Sequence, residues 1–151
     1  MEIKVEGSRR NKKYVEAILP SVISQLKLNN STKALVVRIA DETPSTMVDG
    51  IKQKNDGVTF DLTEAFGSFL VVITPKRRLY DIGSTLCHEM VHVKQMAKGT
   101  LKSAKNGAHF WAGKKMKKNI SYLDQPWEIE AFSRQELLLR RAYAELESKK
   151  A

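Results

Sequence analysis

The amino-acid sequence predicts an α+β fold in a single domain, and three observations lead to that prediction. The chain has 151 residues, which is enough to bury an apolar core without disulfides. Short segments rich in β-branched residues lie between regions whose apolar residues recur with helical spacing. No repeat, low-complexity tract or linker divides the sequence. Residues 1–151 are therefore expected to form one domain.

The N-terminal third predicts a helix followed by a strand. Ser8 is a favourable N-cap residue for this helix. Pro20 lies inside the helical pattern and is expected to kink or divide it. Residues 34–40 are short and rich in β-branched side chains, which favours a strand. The helix should bury a face that consists of Val15, Ile18, Leu19, Val22 and Leu26.

The middle of the chain predicts further strands, and the C-terminal half predicts two helices. Asp-Gly turn signals at 49–50 and 56–57 flank residues 51–54 and 58–62, which predicts a hairpin. Residues 69–73 predict a buried strand. A basic loop connects the two later helices, and the last helix is long, from about Pro126 to Glu147. We therefore expect a small, mainly antiparallel sheet packed on helices.

Composition and charge restrict the function classes. The chain has 26 Lys plus Arg against 17 Asp plus Glu, a net charge of +9, which is compatible with a polyanionic or acidic partner. A single cysteine excludes a disulfide framework and a zinc site made mainly of thiolates. The apolar runs are too short to span a bilayer, and the first residues show no secretory signal. We expect a cytoplasmic protein without a membrane partner.

Residues 88–92 read His-Glu-Met-Val-His, and this segment carries the predicted chemistry. On a helix, His88 and His92 lie one turn apart on one face and can bind one metal ion. Glu89 would then lie beside the ion, where it can accept a proton from a metal-bound water. Asp81 is expected to cap this helix and Lys98-Gly99 to end it. The opposite face should pack on the sheet through Leu86, Met90, Val93 and Ala97.

Three side chains could supply the third ligand that a catalytic zinc needs. Glu128 and Glu130 stand at the start of the last helix, where a carboxylate also complements the helix dipole. His109 follows His92 by 17 residues and lies beside two aromatic residues. The residues alone leave the choice among the three open.

The motif resembles the gluzincin metallopeptidases. In those enzymes the third ligand is commonly the first residue of a Glu-x-x-Ala pattern on a second helix, which Glu128 to Ala131 matches. Residues 88–95, 111–114 and 122–131 together resemble small metallopeptidases encoded by bacteriophages. The resemblance implies a minimal zincin-like domain in which His88, His92 and Glu128 bind Zn²⁺ and Glu89 is the general base. In the family an acidic or amide residue often follows the alanine, whereas Phe132 stands there in this sequence.

A second resemblance is to SprT-like proteases, which act on DNA-bound proteins and take a histidine as third ligand. His109 lies two residues beyond their usual spacing, and their usual glycine after this histidine is replaced by Phe110. Either resemblance implies hydrolysis of peptide bonds through a zinc-bound water that Glu89 activates. A phage protein of this kind would act in the cytoplasm of an infected bacterial host.

The resemblance implies a protein or peptide substrate, which the strand at 69–73 could receive as an added strand. Tyr122, His109 and Tyr143 are candidate donors to the oxyanion. A different hypothesis is a basic nucleic-acid-binding protein with a non-catalytic metal site. Its binding surface would be the lysine-rich segment 98–118, which contains seven lysines, no acidic residue and two aromatics.

Overall fold

The computed structural model describes residues 1–40, 56–62, 66–104 and 106–150, and the backbone of two strands at 45–48 and 51–54. The helices are α1 (Arg9–Gln25), α2 (Leu79–Ala97) and α3 (Pro126–Lys150), and a short 3-10 helix spans Tyr122–Asp124. The strands are β1 (Glu2–Glu6), β2 (Ala34–Ile39), β3 (Ser45–Val48), β4 (Ile51–Lys54), β5 (Gly57–Asp61), β6 (Ser68–Ile73), β7 (Leu101–Ser103), β8 (His109–Trp111) and β9 (Lys114–Lys115). The predicted α+β class is confirmed.

The central sheet has four strands in the order β1-β2-β6-β5. β1 and β6 both run parallel to β2, whereas β5 is antiparallel to β6. This sheet is therefore mixed, although the sequence predicted a mainly antiparallel one. The difference arises from two parallel pairs, β1-β2 and β2-β6. The sequence did not indicate β1, because only Val5 of this short, charged strand is buried. With β1 in the sheet, α1 becomes the crossover that a parallel β1-β2 pair requires.

Helices α1 and α2 pack on the central sheet, and α3 packs against both of these helices. Alternate residues of β2 and β6 point into the same apolar core as residues of all three helices, as the two-residue period of a strand demands. The sheet contributes Leu35, Val37, Ile39, Phe69, Val71 and Ile73 to the core. Among the described residues, no helix is both long enough and apolar enough to cross a bilayer.

Helix α1 begins as predicted, because the Ser8 hydroxyl accepts a hydrogen bond of 3.3 Å from the backbone N–H of Asn11. Its predicted apolar face is buried. Pro20, however, does not divide the helix, which continues to Gln25. Pro20 is exposed, and so is Glu16, whose carbonyl would have bonded the missing N–H. Water can solvate that carbonyl, which lowers the cost of the interior proline.

The segments predicted as strands, 51–54 and 58–62, correspond to β4 and β5, but these two strands do not pair with each other as predicted. β4 pairs with β3, and β5 pairs with β6 rather than with β4. The turn signal at 49–50 lies outside the described residues. The basic connection between α2 and α3 is not simply a loop, because β7, β8 and β9 form a small antiparallel sheet within it.

Helix α2 begins three residues earlier than predicted, with Arg78 rather than Asp81 at the N-cap position and Asp81 in its first turn. Lys98 is the C-cap residue, and Gly99 follows with φ +78°, a left-handed conformation that favours glycine.

Helix α3 buries Ala131, Leu138, Leu139 and Ala142. The helical spacing of Ile129, Phe132, Leu139 and Leu146 in the sequence predicts that these residues form the buried side of α3. Leu139 is buried, but Ile129 and Phe132 are 54% and 48% exposed.

The close packing of the helices at Gly83 generates a stability prediction. A Cβ at this position would overlap the Tyr14 hydroxyl and lie 2.8 Å from Leu139 Cδ1. Gly83→Ala should therefore lower the free energy of unfolding by about 1–3 kcal/mol, as overpacking does, despite the better helix propensity of alanine.

Urea denaturation of Gly83→Ala, Tyr14→Phe and the double variant would measure this effect. The cost of Gly83→Ala should be smaller in the Tyr14→Phe background, because the overlapping hydroxyl is absent there. An equal cost in both backgrounds would contradict the proposed steric cause.

Candidate functional site

Helix α2 places the two histidines of the motif side by side, as their spacing predicted. His88 and His92 are 7% and 8% exposed, and their rings lie 5.0 Å apart between centroids. Leu86, Met90 and Val93 on the opposite side are fully buried in the core. The histidines instead line a cavity of about 910 Å³ that residues of α2, α3, β5 and the small sheet enclose.

Glu128 reaches the histidines from the first turn of α3. Its Oε1 lies 3.2 Å from His88 Nε2 and 2.5 Å from His92 Nε2, and Glu128 is only 5% exposed. One ligand atom of each of these three residues lies within 4.8 Å of the others. This buried group could hold a metal ion, and it consists of the residues that the gluzincin resemblance implies.

The other two candidates for the third ligand lie elsewhere. Glu130 accepts a hydrogen bond of 3.0 Å from the side-chain amide of Gln95. His109, on β8, is exposed, and its Nδ1 lies 3.0 Å from the Ser103 hydroxyl oxygen. His109 lines the cavity and stacks obliquely on Trp127 at 5.4 Å. Neither residue belongs to the group that could hold a metal among the described residues.

Gln95 orients His92, which sequence analysis did not predict. Its Nε2 donates hydrogen bonds of 3.0 Å to the carbonyl of Trp127 and to Glu130. Both partners are acceptors, so Gln95 must present Oε1 to His92 Nδ1, 2.8 Å away. Nδ1 therefore donates, which leaves Nε2 as the ring nitrogen that faces Glu128. The i, i+3 spacing from His92 was the available signal.

Gln135 orients His88 in the way that Gln95 orients His92. Its Oε1 lies 2.8 Å from His88 Nδ1, and its Nε2 donates to the Ser84 hydroxyl at 3.0 Å. Gln135 follows Glu128 by seven residues, so both side chains lie on one face of α3. It supplies a hydrogen bond to the His88 ring that the apolar side chain of Phe132 cannot make. Phe132 instead packs its ring edge-on against His88 at 4.5 Å between centroids.

The electrostatics of the group fit a bound cation. Burial alone would raise the pKa of Glu128, but hydrogen bonds with His88 and His92 hold that pKa below its ordinary value. Burial alone would lower the pKa of His92, but its hydrogen bond to Glu128 raises that pKa. A carboxylate and imidazole lone pairs are all acceptors, so a proton or a metal ion must lie among them. Two imidazoles and a carboxylate suit a divalent transition metal.

Glu89 lies beside this group but is not one of its members. It lines the cavity, is 6% exposed, and accepts a hydrogen bond of 2.8 Å from the Thr59 hydroxyl of β5. Burial raises the pKa of Glu89. A carboxylate held next to a metal position by a single neutral donor is free to accept a proton from a water molecule in the cavity.

The remaining candidates divide between the cavity and the core. Tyr122 lines the cavity, and burial together with Glu128 raises the pKa of its hydroxyl. Tyr143 does not line the cavity, because its hydroxyl bonds that of Tyr14 between α1 and α3. Cys87 is fully buried, and burial raises the pKa of its thiol to about 12. It is therefore not an activated nucleophile.

No protein-family model matches the chain, and neither a curated protein nor a solved structure was found to match it. The side chains of the site and the cavity around them are consequently the basis for assigning a function.

The geometry predicts which variants lose the metal. Glu128→Gln should remove high-affinity binding of a divalent transition metal, with Zn²⁺ as the probe, because it replaces the charged side chain at the centre of the group. Gln95→Leu should weaken binding by about 10–100-fold, because His92 loses its orienting partner. His109→Ala is the matched control and should bind as the wild type does.

Competition with a chromophoric chelator, after removal of endogenous metal, would measure these affinities. Loss of Zn²⁺ binding in His109→Ala together with its retention in Glu128→Gln would contradict this assignment of the ligands.

Proposed function

We propose that the protein is a zinc metallopeptidase that hydrolyses peptide bonds. The observation that carries this proposal is the convergence of His88, His92 and Glu128 next to a buried Glu89, at the wall of one large cavity. The likeness of residues 88–131 to gluzincins supports the same conclusion. A metal site with only structural importance has no need of a neighbouring carboxylate or of a cavity large enough for a substrate.

The donor set is the first argument for zinc. Two neutral imidazoles and one carboxylate are ligands of catalytic zinc sites, which keep a position open for water. When bound there, Zn²⁺ would lower the pKa of a water molecule and polarise a substrate carbonyl. Gln95 and Gln135 contribute by holding both imidazoles in the tautomer whose Nε2 faces the ion.

Glu89 is the proposed general base. Its position next to His88 on α2 brings it to the cavity without making it a ligand. The hydroxyl of Thr59 donates to one carboxylate oxygen and leaves the other to take the proton of the attacking water. Gly57 allows this arrangement, because a Cβ there would lie 3.0 Å from Glu89 Cγ and 2.8 Å from Thr85 Cγ2. β5 can therefore pass close to α2.

An extended peptide is the proposed substrate, and β5 is the strand that would receive it. Sequence analysis assigned this role to residues 69–73, but β6 lies between β2 and β5 and has no free edge. β5 is an edge strand of the central sheet, and its residues 57–59 line the cavity. Pairing of a peptide with β5 would bring its backbone past Glu89 and the metal ligands.

Tyr122 is the proposed donor to the oxyanion. Its side chain lines the cavity, and its ring lies 6.1 Å from that of Phe132, which packs against His88, so Tyr122 belongs to the part of the cavity wall that carries the proposed ligands. Of the other two candidates, Tyr143 lies outside the cavity, and His109 is hydrogen-bonded to Ser103. The SprT-like alternative requires His109 as a ligand, and no described contact favours that role.

Glu89→Gln tests the proposed mechanism. The variant should lower kcat by about 10²–10⁴-fold, because it removes the general base, and it should keep its zinc. The measurement is cleavage of a mixed fluorogenic peptide library, together with zinc content. Glu136→Gln, on an exposed part of α3 where Glu136 contacts Arg140, is the matched control. A Glu89→Gln protein with wild-type turnover would exclude this mechanism.

A further inference from the structure

Two basic segments that are far apart in the sequence meet on one surface of the folded chain. Residues 9–13 begin α1, and residues 76–78 immediately precede α2. The guanidinium of Arg10 donates a hydrogen bond of 2.6 Å to the backbone carbonyl of Arg77. This contact joins the two segments into what we call the arginine surface. Its cationic members are Arg9, Arg10, Lys12, Lys13, Lys76, Arg77 and Arg78.

Most of the positive charge on the arginine surface is not neutralised. Lys76 Nζ lies 2.8 Å from Asp56, and Arg78 binds Asp81 through two nitrogens at 2.9 and 3.1 Å. Within the described parts of the chain, the other five cations have no ion-pair partner. These five are exposed, and they are Arg9, Arg10, Lys12, Lys13 and Arg77.

Helix stability does not explain this concentration of charge. Cations in the first turn of a helix are unfavourable, because the positive end of the helix dipole lies there. The first turn of α1 contains Arg9 and Arg10 and no acidic residue. The first turn of α2 has an acidic residue, Asp81, but Arg78 already binds it. An anionic partner would stabilise both helix ends at once.

An exposed aromatic ring distinguishes among anionic partners. Tyr80, in the first turn of α2, is 48% exposed and lies between Arg78 and Asp81, which form an ion pair at the start of this helix. Tyr80 therefore belongs to the arginine surface. Cationic side chains next to an exposed ring match single-stranded nucleic acid, whose phosphates bind the cations while a base stacks on the ring. An acidic peptide has no group that would require the ring.

We propose that the arginine surface binds single-stranded nucleic acid, with a base stacked on Tyr80. The lysine-rich segment 98–118, which the sequence indicated for this partner, has exposed lysines but no free ring of this kind. Trp111 packs against Trp127 at 6.4 Å between centroids, and Phe110 is half-buried. This proposal does not depend on the metallopeptidase proposal.

Two variants of equal net charge distinguish the contribution of the arginine surface to binding from that of the lysine-rich segment. One removes three cations from the arginine surface (R9A, K13A, R77A). The other is the matched control and removes three exposed cations from the lysine-rich segment (K115A, K117A, K118A). Fluorescence anisotropy of a labelled single-stranded deoxyoligonucleotide, repeated over a series of salt concentrations, would measure binding. Circular dichroism would verify that both variants fold.

The wild type should bind with an affinity that falls steeply with salt. The arginine-surface variant should bind about tenfold more weakly, and its log–log salt slope should be smaller by about 2 because three phosphate contacts are lost. The control should differ from the wild type by less than about twofold. Absence of binding at low salt, or equal losses in the two variants, would overturn the proposal.

Substitutions of Tyr80 test the stacked base. Tyr80→Leu should weaken binding by about tenfold, whereas Tyr80→Phe should retain it because the ring remains. Wild-type affinity in Tyr80→Leu, or displacement by polyglutamate as efficient as by unlabelled oligonucleotide, would overturn the assignment to nucleic acid. Binding is measured without hydrolysis, so failure here leaves the proposed peptidase activity to its own test.

Discussion

The contact between α2 and α3 determines whether this chain has a group that could hold a metal ion. Two residues of the group lie on α2 and the third on α3, so no helix carries the complete group. The helices approach closely because Ala131 and Ala142 of α3 and Gly83 of α2 are small at their contact with the core. Glu128 lies one turn before Ala131 on the same face, so the packing that buries the apolar residues also brings its carboxylate to the histidines.

Burial of these polar groups is costly unless each one has a partner. Each histidine bonds a glutamine side chain, and each of these glutamines bonds a further polar group. Gln95 links His92 to Glu130 and to the backbone of α3, and Gln135 links His88 to Ser84. Glu130, a candidate ligand in the sequence, therefore supports a ligand instead. The same hydrogen bonds restrict both rings to orientations in which they could bind one ion, so they contribute to stability and to the site together.

The charge of the chain is segregated. The carboxylates of Glu89 and Glu128 line the cavity, and Lys76 in its lining is paired with Asp56. Among the described residues, exposed arginines and lysines without an ion-pair partner lie at the start of α1 and along the small sheet. A net charge of +9 is therefore not a property of the metal-binding group. This distribution allows one surface to attract a polyanion while the cavity keeps an environment suitable for a cation. The two proposed sites adjoin at Lys76, which belongs to the arginine surface and also lines the cavity. The five exposed cations of the arginine surface lie outside the cavity lining.

The sequence by itself determined the features that depend on local spacing. The four-residue interval between His88 and His92, the cap at Ser8 and the start of α3 at Pro126 all follow from the geometry of a single helix. The tertiary structure alone decided between Glu128 and Glu130, because their side chains point in very different directions from α3 and only the packing of that helix determines which one faces α2. It also decided the parallel pairing of β1, the exposure of Ile129 and the meeting of Arg10 with Arg77. Each of these features depends on which distant segments of the chain pack against each other, and local periodicity carries no information on that.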